Sequence, residues 1–394
     1  PPTEEERRMV AQARRSGDED ALAKVRIERQ RREGRDRQQM VEIQKWWLQR
    51  LIETANPLQE KMVLFWHGHF ATNYRTIENS YHMFLQNALF RTHAVGNFGA
   101  LLGGIIRDPA MIAYLDNNDS RKGRANENLA REIMELFSLG IGRYGEQDIK
   151  EGARALTGYT FEDDAFKFDK KNHDEGSKTI LGQTGTWDGE DFVRIILQQR
   201  GVSSFITRKL YHFFVAELPP LERVPDKDLP RTTQRVLKEL AATFVSSKYE
   251  LKPMLKRMFL SKHFYDPSLM GEQIKSPAQL VVGAIRSLNA PARDLSILND
   301  AMDLMGQSLF MPPSVKGWDG GRSWINTSTM FVRQNIMAYL LTGKKPRGYD
   351  ANADTMKFDP MPLLGELSKA TPGAEREPAA VADYLLRLTI GKAP

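Results

Sequence analysis

Apolar residues recur at helical spacing along most of the chain, most regularly over 190–216, 232–262, 277–290 and 297–306, with Pro-rich connections at 218–230 and 311–313. Residues 3–45 are rich in Glu, Arg, Gln and Ala, and predict charged helical segments broken near Ser16-Gly17-Asp18 and again at Gly34. The spacing of Trp46, Trp47, Leu48 and Leu51 marks the apolar stripe by which this arm would dock on the body of the protein.

Three helix starts are written in cap chemistry. In Asn56-Pro57 and Asp108-Pro109 a side-chain acceptor precedes a proline suited to the first helical position. Asn126 opens ENLAREIMELFSLG, which closes on Gly140. On that helix, over 127–139, Leu129, Ile133, Leu136 and Phe137 share one face, while Glu127, Arg131 and Glu135 line the opposite side as i, i+4 neighbours. Glu132 falls on the border between the two, so it is the carboxylate expected to be partly buried, with an ion pair to Arg131, Arg154 or another helix as the plain alternative to acid–base work.

Residues 159–187 depart from this pattern. Aromatic and polar residues alternate there, which predicts a β-hairpin excursion with Asp174-Glu175-Gly176 supplying a turn position of positive φ. After about residue 345 the chain turns to Pro, Gly, Lys and Asp, so 344–376 reads as a loose connection before a final helix around 377–390. The fold class is therefore mainly α, a single large helical domain over 46–343 with a short hairpin, a charged arm over 1–45 and a peripheral segment over 344–394.

Composition narrows the chemistry. At 394 residues, with 41% hydrophobic and 27% charged residues, the chain is long enough for a sizeable core. The net charge of +6 is spread among interleaved acids and bases, so no nucleic-acid partner is expected. With no cysteine there can be no disulfide and no thiolate ligand. No run approaches the ~18 apolar residues of a membrane span, and the start at Pro1-Pro2 carries no basic-then-apolar leader, as a mature or trimmed form would.

Candidate chemistry concentrates between residues 60 and 180. Four of the seven histidines, His67, His69, His82 and His93, lie close together in sequence, and His173 follows in the hairpin. In a continuous helix His67 and His69 would point about 200° apart, so they share a metal only if Gly68 breaks the helix. Arg154, His173, Asp174 and Lys178 add a dense polar group around the hairpin. Farther on, Trp318 and Trp324 flank Asp319-Gly320-Gly321-Arg322, either as a sugar-stacking wall or as plugs of the core.

The segments FWHGHF (65–70), RTHAVGNFGALL (91–102), DPAMIAYLDN (108–117), NENLAREIMELFSLGIGRY (126–144), ARALTGYTF (153–161), HDEGSKTILG (173–182), ITRKLYHFFV (206–215) and KGWDGGRSWIN (316–326) together resemble the bacterial domain of unknown function numbered 1800. The resemblance implies export, a co-encoded exported partner, and a recurrent polar set of His67, His69, His93, Asn126, Glu127, Asn128, Arg131, Glu132, Glu135, Arg154, His173 and Asp174. It implies no particular reaction.

The leading expectation is a metal-assisted hydrolase or lyase acting on an extracellular polymer such as polysaccharide. In it His67, His69, His93 and His173 hold a divalent metal ion, and Glu132, Arg131, Arg154 and Asp174 do the catalysis. Asn126, Asn128, Glu127, Glu135, Lys178, Trp318, Arg322 and Trp324 line the substrate. Two other readings are a non-enzymatic exported binding or assembly module and a haem- or oxygen-linked oxidoreductase using Arg91 and His93. For the enzyme, helices 57–73, 80–105 and 127–139 would surround one cleft capped by the hairpin.

Overall fold

The computed structural model describes residues 4–16, 19–221, 223–345, 356 and 358–391. The first half runs α1 (Glu4–Ser16), α2 (Glu19–Glu53), α3 (Pro57–His69), α4 (Tyr74–Ile77), α5 (Ser80–Thr92), α6 (Phe98–Ile105), α7 (Pro109–Tyr114), α8 (Asn128–Glu135) and α9 (Glu146–Ala155). Two antiparallel hairpins follow, β1 (Tyr159–Glu162) with β2 (Ala165–Phe168) and β3 (Lys178–Ile180) with β4 (Gln183–Gly185). Then come α10 (Gly189–Leu197), α11 (Arg200–Phe214), α12 (Arg231–Ser246), α13 (Leu251–Phe259), α14 (Pro277–Leu288), α15 (Leu295–Leu304), α16 (Thr327–Thr342), α17 (Met361–Ala370) and α18 (Pro378–Ile390). The protein is mainly α, and no described helix is long and apolar enough to cross a membrane.

α3 is the central element. Met62, Val63, Leu64, Phe65 and Trp66 are all buried, so this helix is apolar around its whole circumference and must be enclosed by others. It packs on α5 and α2. Trp66 is fully enclosed with Phe70, Phe98 and Phe90 nearby, and its indole N–H donates to the carbonyl of Ala94 at 3.0 Å. Burying each such ring contributes about 2 kcal/mol relative to leaving it in water.

α2 buries Met40, Trp47, Leu48, Leu51 and Ile52 and so joins the arm to the body through Trp47, Leu48 and Leu51 of the expected stripe, whereas Trp46 is exposed and lies against Phe84 and Arg91. It runs unbroken through Gly34 and across residue 45, where a break at Gly34 is expected from sequence. One interior glycine costs a helix only about 1 kcal/mol. Just beyond it Asp36 receives the Tyr74 hydroxyl at 2.8 Å and the Ser80 N–H at 2.9 Å, which pins the helix to the body. Of the other expected break, Gly17 and Asp18 lie outside the described residues.

The hairpin region holds two short hairpins, and the turn differs from expectation. Positive φ falls at Asp163, Leu181 and Gly182 and not at Gly176, whose N–H instead donates to Asp174 Oδ1 at 2.8 Å in a local turn between the hairpins. The stretch 344–376 is not wholly a connection. Leu363 and Leu367, one helical turn apart, are buried and nucleate α17. The cap at Asp108 forms, its carboxyl accepting from Met111 N, whereas Asn56 sits at the N-cap without a side-chain bond. α8 starts at Asn128, with the Asn126 side chain accepting from Asn128 N–H at 2.9 Å, and ends in turns that close on Gly140 at φ +88°.

Candidate acid–base site around Glu132

The helix of α3 continues through Gly68, so the side chains of His67 and His69 leave it in opposite directions. Nε2 of His67 accepts the backbone N–H of Phe310 at 3.0 Å, so its ring proton sits on Nδ1. Nε2 of His69 faces the carbonyl of Phe137 at 3.0 Å and must donate to it, which assigns the opposite tautomer and leaves a buried Nδ1 with no hydrogen-bond partner among the described residues. Burial pushes His67 down to about 3. It also holds His69 well below the usual imidazole range, with the charge of Lys209 adding to the effect.

The other histidines lie elsewhere. His173 directs Nδ1 to the carbonyl of Thr157 at 2.8 Å, at the base of the hairpins. His93 is the half-buried C-cap of α5, and His82 is buried with Nε2 against Asp163 O at 3.1 Å and Asp164 Oδ1 at 3.0 Å. Among the described residues, no three His, Asp or Glu side chains come together as metal ligands would. His67 and His69 leave α3 in opposite directions, and the lone pair of His67 is taken by Phe310 N–H, so these two do not share a divalent ion in this arrangement. Arg91, paired with His93 in the oxidoreductase reading, is instead held by Glu60 and lies over the ring of Trp46.

The expected acids and arginines form two groups. At the hairpin base Arg154 grips Asp174 through Nε and Nη2 at 2.8 and 3.2 Å, and it also reaches Glu151 and the carbonyl of Ser177. The Arg154 bond, first among several, holds Asp174 down to about 2. Lys178 is buried, its ammonium donating to the carbonyls of Asp174 and Gly176. This group latches β3 onto α9.

The second group surrounds α8. Arg131 is shared by Glu127 and Glu146, with contacts of 3.0–3.1 Å, and not by Glu132. Glu135 accepts the hydroxyl of Tyr144 at 2.5 Å. Glu132 is half-buried and, among the described residues, makes no side-chain hydrogen bond or ion pair. Burial raises its pKa, the neighbouring charge of Glu135 adds to the rise, and Arg131 and Lys316 oppose it. The phenol of Tyr114 is likewise raised by burial, with the charge of Glu132 contributing.

The loop after α15 reaches this region through Gly317, whose positive φ of +79° lets it approach α3 so closely that an added Cβ would stand 2.1 Å from the carbonyl oxygen of Gly68. Trp318 is half-buried, edge-on to the His67 ring, with its indole N–H enclosed and, among the described residues, unpartnered. Trp324 is buried against Gly306, while Arg322 and Asn128 are exposed. Thus the structure gathers Glu132, Glu135 and Arg131, and separately Arg154, Asp174 and Lys178 with the adjacent His173, whose neighbour Asp174 shares its anchor on Thr157.

Sequence reasoning passed over Tyr114, Tyr144 and Lys316, which complete the electrostatics of Glu132. It also missed the buried Glu60. That carboxylate takes bonds from Arg91 at 2.7 and 2.9 Å, from Arg50 at 2.6 Å and from the indole of Trp47 at 3.2 Å. A glutamate near the start of a helix gives no local sign of three partners on other elements.

A family model described as a protein of unknown function, DUF1800, matches residues 2–394. No curated protein and no solved structure is detectably similar to the chain.

Proposed function

We propose, from the premise that the chain belongs to the DUF1800 family along essentially its whole length, that it is an acid–base enzyme of the hydrolase or lyase class with Glu132 as its proton-transferring group. The observation that carries this reading is a half-buried carboxyl left without a hydrogen bond among the described residues, beside a second carboxylate. Structural glutamates at such depth are normally paired, as Glu60 is in this protein. A raised carboxyl retains its proton nearer to neutral pH and can deliver it to a leaving group. Glu135, fixed by Tyr144, supplies the partner carboxylate, and Lys316 attracts negative charge.

The substrate proposed is an extracellular polymer such as polysaccharide, in keeping with the export that the family resemblance implies. Trp318, half-buried and two positions after Lys316, supplies the aromatic surface of this reading. No step is assigned to a metal.

The test is release of new chain ends from a panel of neutral and acidic polysaccharides by the wild type and by Glu132→Gln. Glu132→Gln should lose activity by about 100-fold or more while circular dichroism is unchanged. A wild type active on some member of the panel, with Glu132→Gln equally active, would refute the role of Glu132.

A second reading, a binding or assembly module, is favoured by the dispersal of His67, His93 and His173 and by the charged α1–α2 arm. Pull-down with the co-encoded partner, compared with and without residues 1–39, tests it. Loss of capture on truncation supports it.

A further inference from the structure

Lys61 lies on α3, two turns before His69, and its ammonium stands 5.7 and 5.1 Å from the ring centroids of Phe213 and Phe214 at the end of α11. It is half-buried and, among the described residues, makes no hydrogen bond and no ion pair. Burial pushes its pKa down, and the charge of Lys275 pushes it further.

Lys275 belongs to the strap between α13 and α14, which is tied across the molecule by Gln273 donating to the carbonyl of His212 at 2.6 Å. Its ammonium donates to the carbonyl of Thr389 near the end of α18. From α16, Arg333 donates to the backbone carbonyl of Lys275 at 2.9 Å, and its Nε is buried without a partner among the described residues. No Asp or Glu forms an ion pair with Lys61, Lys275 or Arg333 among the described residues. By contrast, Glu60, the residue before Lys61, is itself fully committed to Arg50 and Arg91.

Lys61 on α3 and Lys275 on the 260–276 strap therefore share a partly desolvated corner with two aromatic rings, Arg333 of α16 reaches the backbone of Lys275, and among the described residues no counter-ion pairs with them. Crowding like charges there is unfavourable unless something negative joins them. The carbonyl of Thr389 meets Lys275 and the two rings face Lys61, but among the described residues no acceptor or negative charge meets Lys61 or the Nε of Arg333.

We propose that Lys61 and Lys275, backed by Arg333, bind a single oxyanion group, a sulfate, phosphate or carboxylate, with Phe213 and Phe214 packing against whatever carries it. The site is separate from Glu132 and does not rest on the carboxylate reading. Lysine ammonium groups give charge and hydrogen bonds without imposing a planar geometry, so tetrahedral and planar oxyanions are both accommodated.

The experiment titrates the full chain by calorimetry with sodium sulfate and, separately, with sodium glucuronate, at ionic strength held constant with chloride. Saturable binding is expected for wild type and for Lys61→Arg, and about tenfold weaker binding for Lys61→Met, the loss of one charge-assisted contact. Because removing an unpaired cation relieves repulsion, Lys61→Met should also melt higher than wild type in the absence of either anion. Sulfate binding alone identifies a free tetrahedral anion, and glucuronate binding identifies a carboxylated sugar. Absence of saturable binding of both anions, or equal binding by wild type and Lys61→Met, overturns the proposal.

Discussion

The backbone N–H of Phe310 donates to Nε2 of His67 at 3.0 Å, joining positions 243 residues apart through one imidazole lone pair. Phe310 holds a positive φ of +65°, uncommon for an aromatic residue, and the bond helps keep it there. A protonated ring could not accept this N–H. His67 is pushed down to about 3 by burial, against about 6.5 in an unfolded chain. The unfolded state therefore binds more protons between those values, and this contribution to stability, full above pH 6.5, is lost as pH falls toward 3. His67→Leu should cost about 1–3 kcal/mol at pH 7.5, the orphaned N–H included, and the deficit should shrink at pH 5. Denaturant unfolding at both pH values checks this, and an unchanging deficit would sink it.

Asp108 should have the opposite pH signature. Thr72 donates to Gln86, Gln86 donates to Asp108 Oδ2 at 2.6 Å, and Met111 N–H donates to the same oxygen at 2.9 Å. Burial raises the carboxyl to about 7, with these bonds opposing the rise. The folded state then holds the proton where the unfolded chain, near 3.9, has released it. The resulting stability is full below about pH 3.9 and is lost as pH rises through about 7. Asp108→Asn keeps an acceptor for Met111 and removes the titration. Its stability relative to wild type should therefore rise between pH 5.5 and pH 8, as read from melting temperatures.

Glu60 holds α2, α3 and α5 together. Burial alone would raise its pKa, yet bonds from Arg91 and Arg50 hold it below the usual carboxylate value. Glu60→Ala would leave Arg91 partly buried beside an empty acceptor site and should destabilise by about 3–5 kcal/mol. Glu60→Gln, which keeps the shape and loses the charge, should cost less. Equal losses in urea unfolding would show that packing, not charge, governs the site.

Gly317→Ala combines a strained positive φ with a Cβ placed 2.1 Å from Gly68 O. It should cost about 2 kcal/mol or more, and it should shift the fluorescence of the adjacent Trp318. Gly373→Ala has positive φ in the left-handed region but open space, so its cost should be confined to the backbone, about 1 kcal/mol. Matching melting temperatures for the two variants would contradict the close approach of the 317 loop to α3.

Helical patterning, the cap at Asp108 and the border position of Glu132 were all legible because each depends on residues within a turn or two of one another. α17 was obscured by the Pro- and Gly-containing text around Leu363 and Leu367. The unbroken α2 was obscured because Gly34 weakens a helix locally while Asp36 secures it through Tyr74 and Ser80, residues far along the chain.

The sequence by itself determined a mainly α protein, a charged arm ending in an apolar stripe, and a carboxyl at Glu132 poised between core and surface. These follow from periodicity, which is a local property. Only the tertiary structure decided what the polar residues do. It gave His67 and His69 opposite tautomers, spent Arg131 and Arg154 on other acids, surrounded Glu60 with donors and left Lys61 without an acceptor among the described residues. Hydrogen-bond partners and desolvation depend on which distant segments pack together, and residue spacing alone carries no measure of that distance.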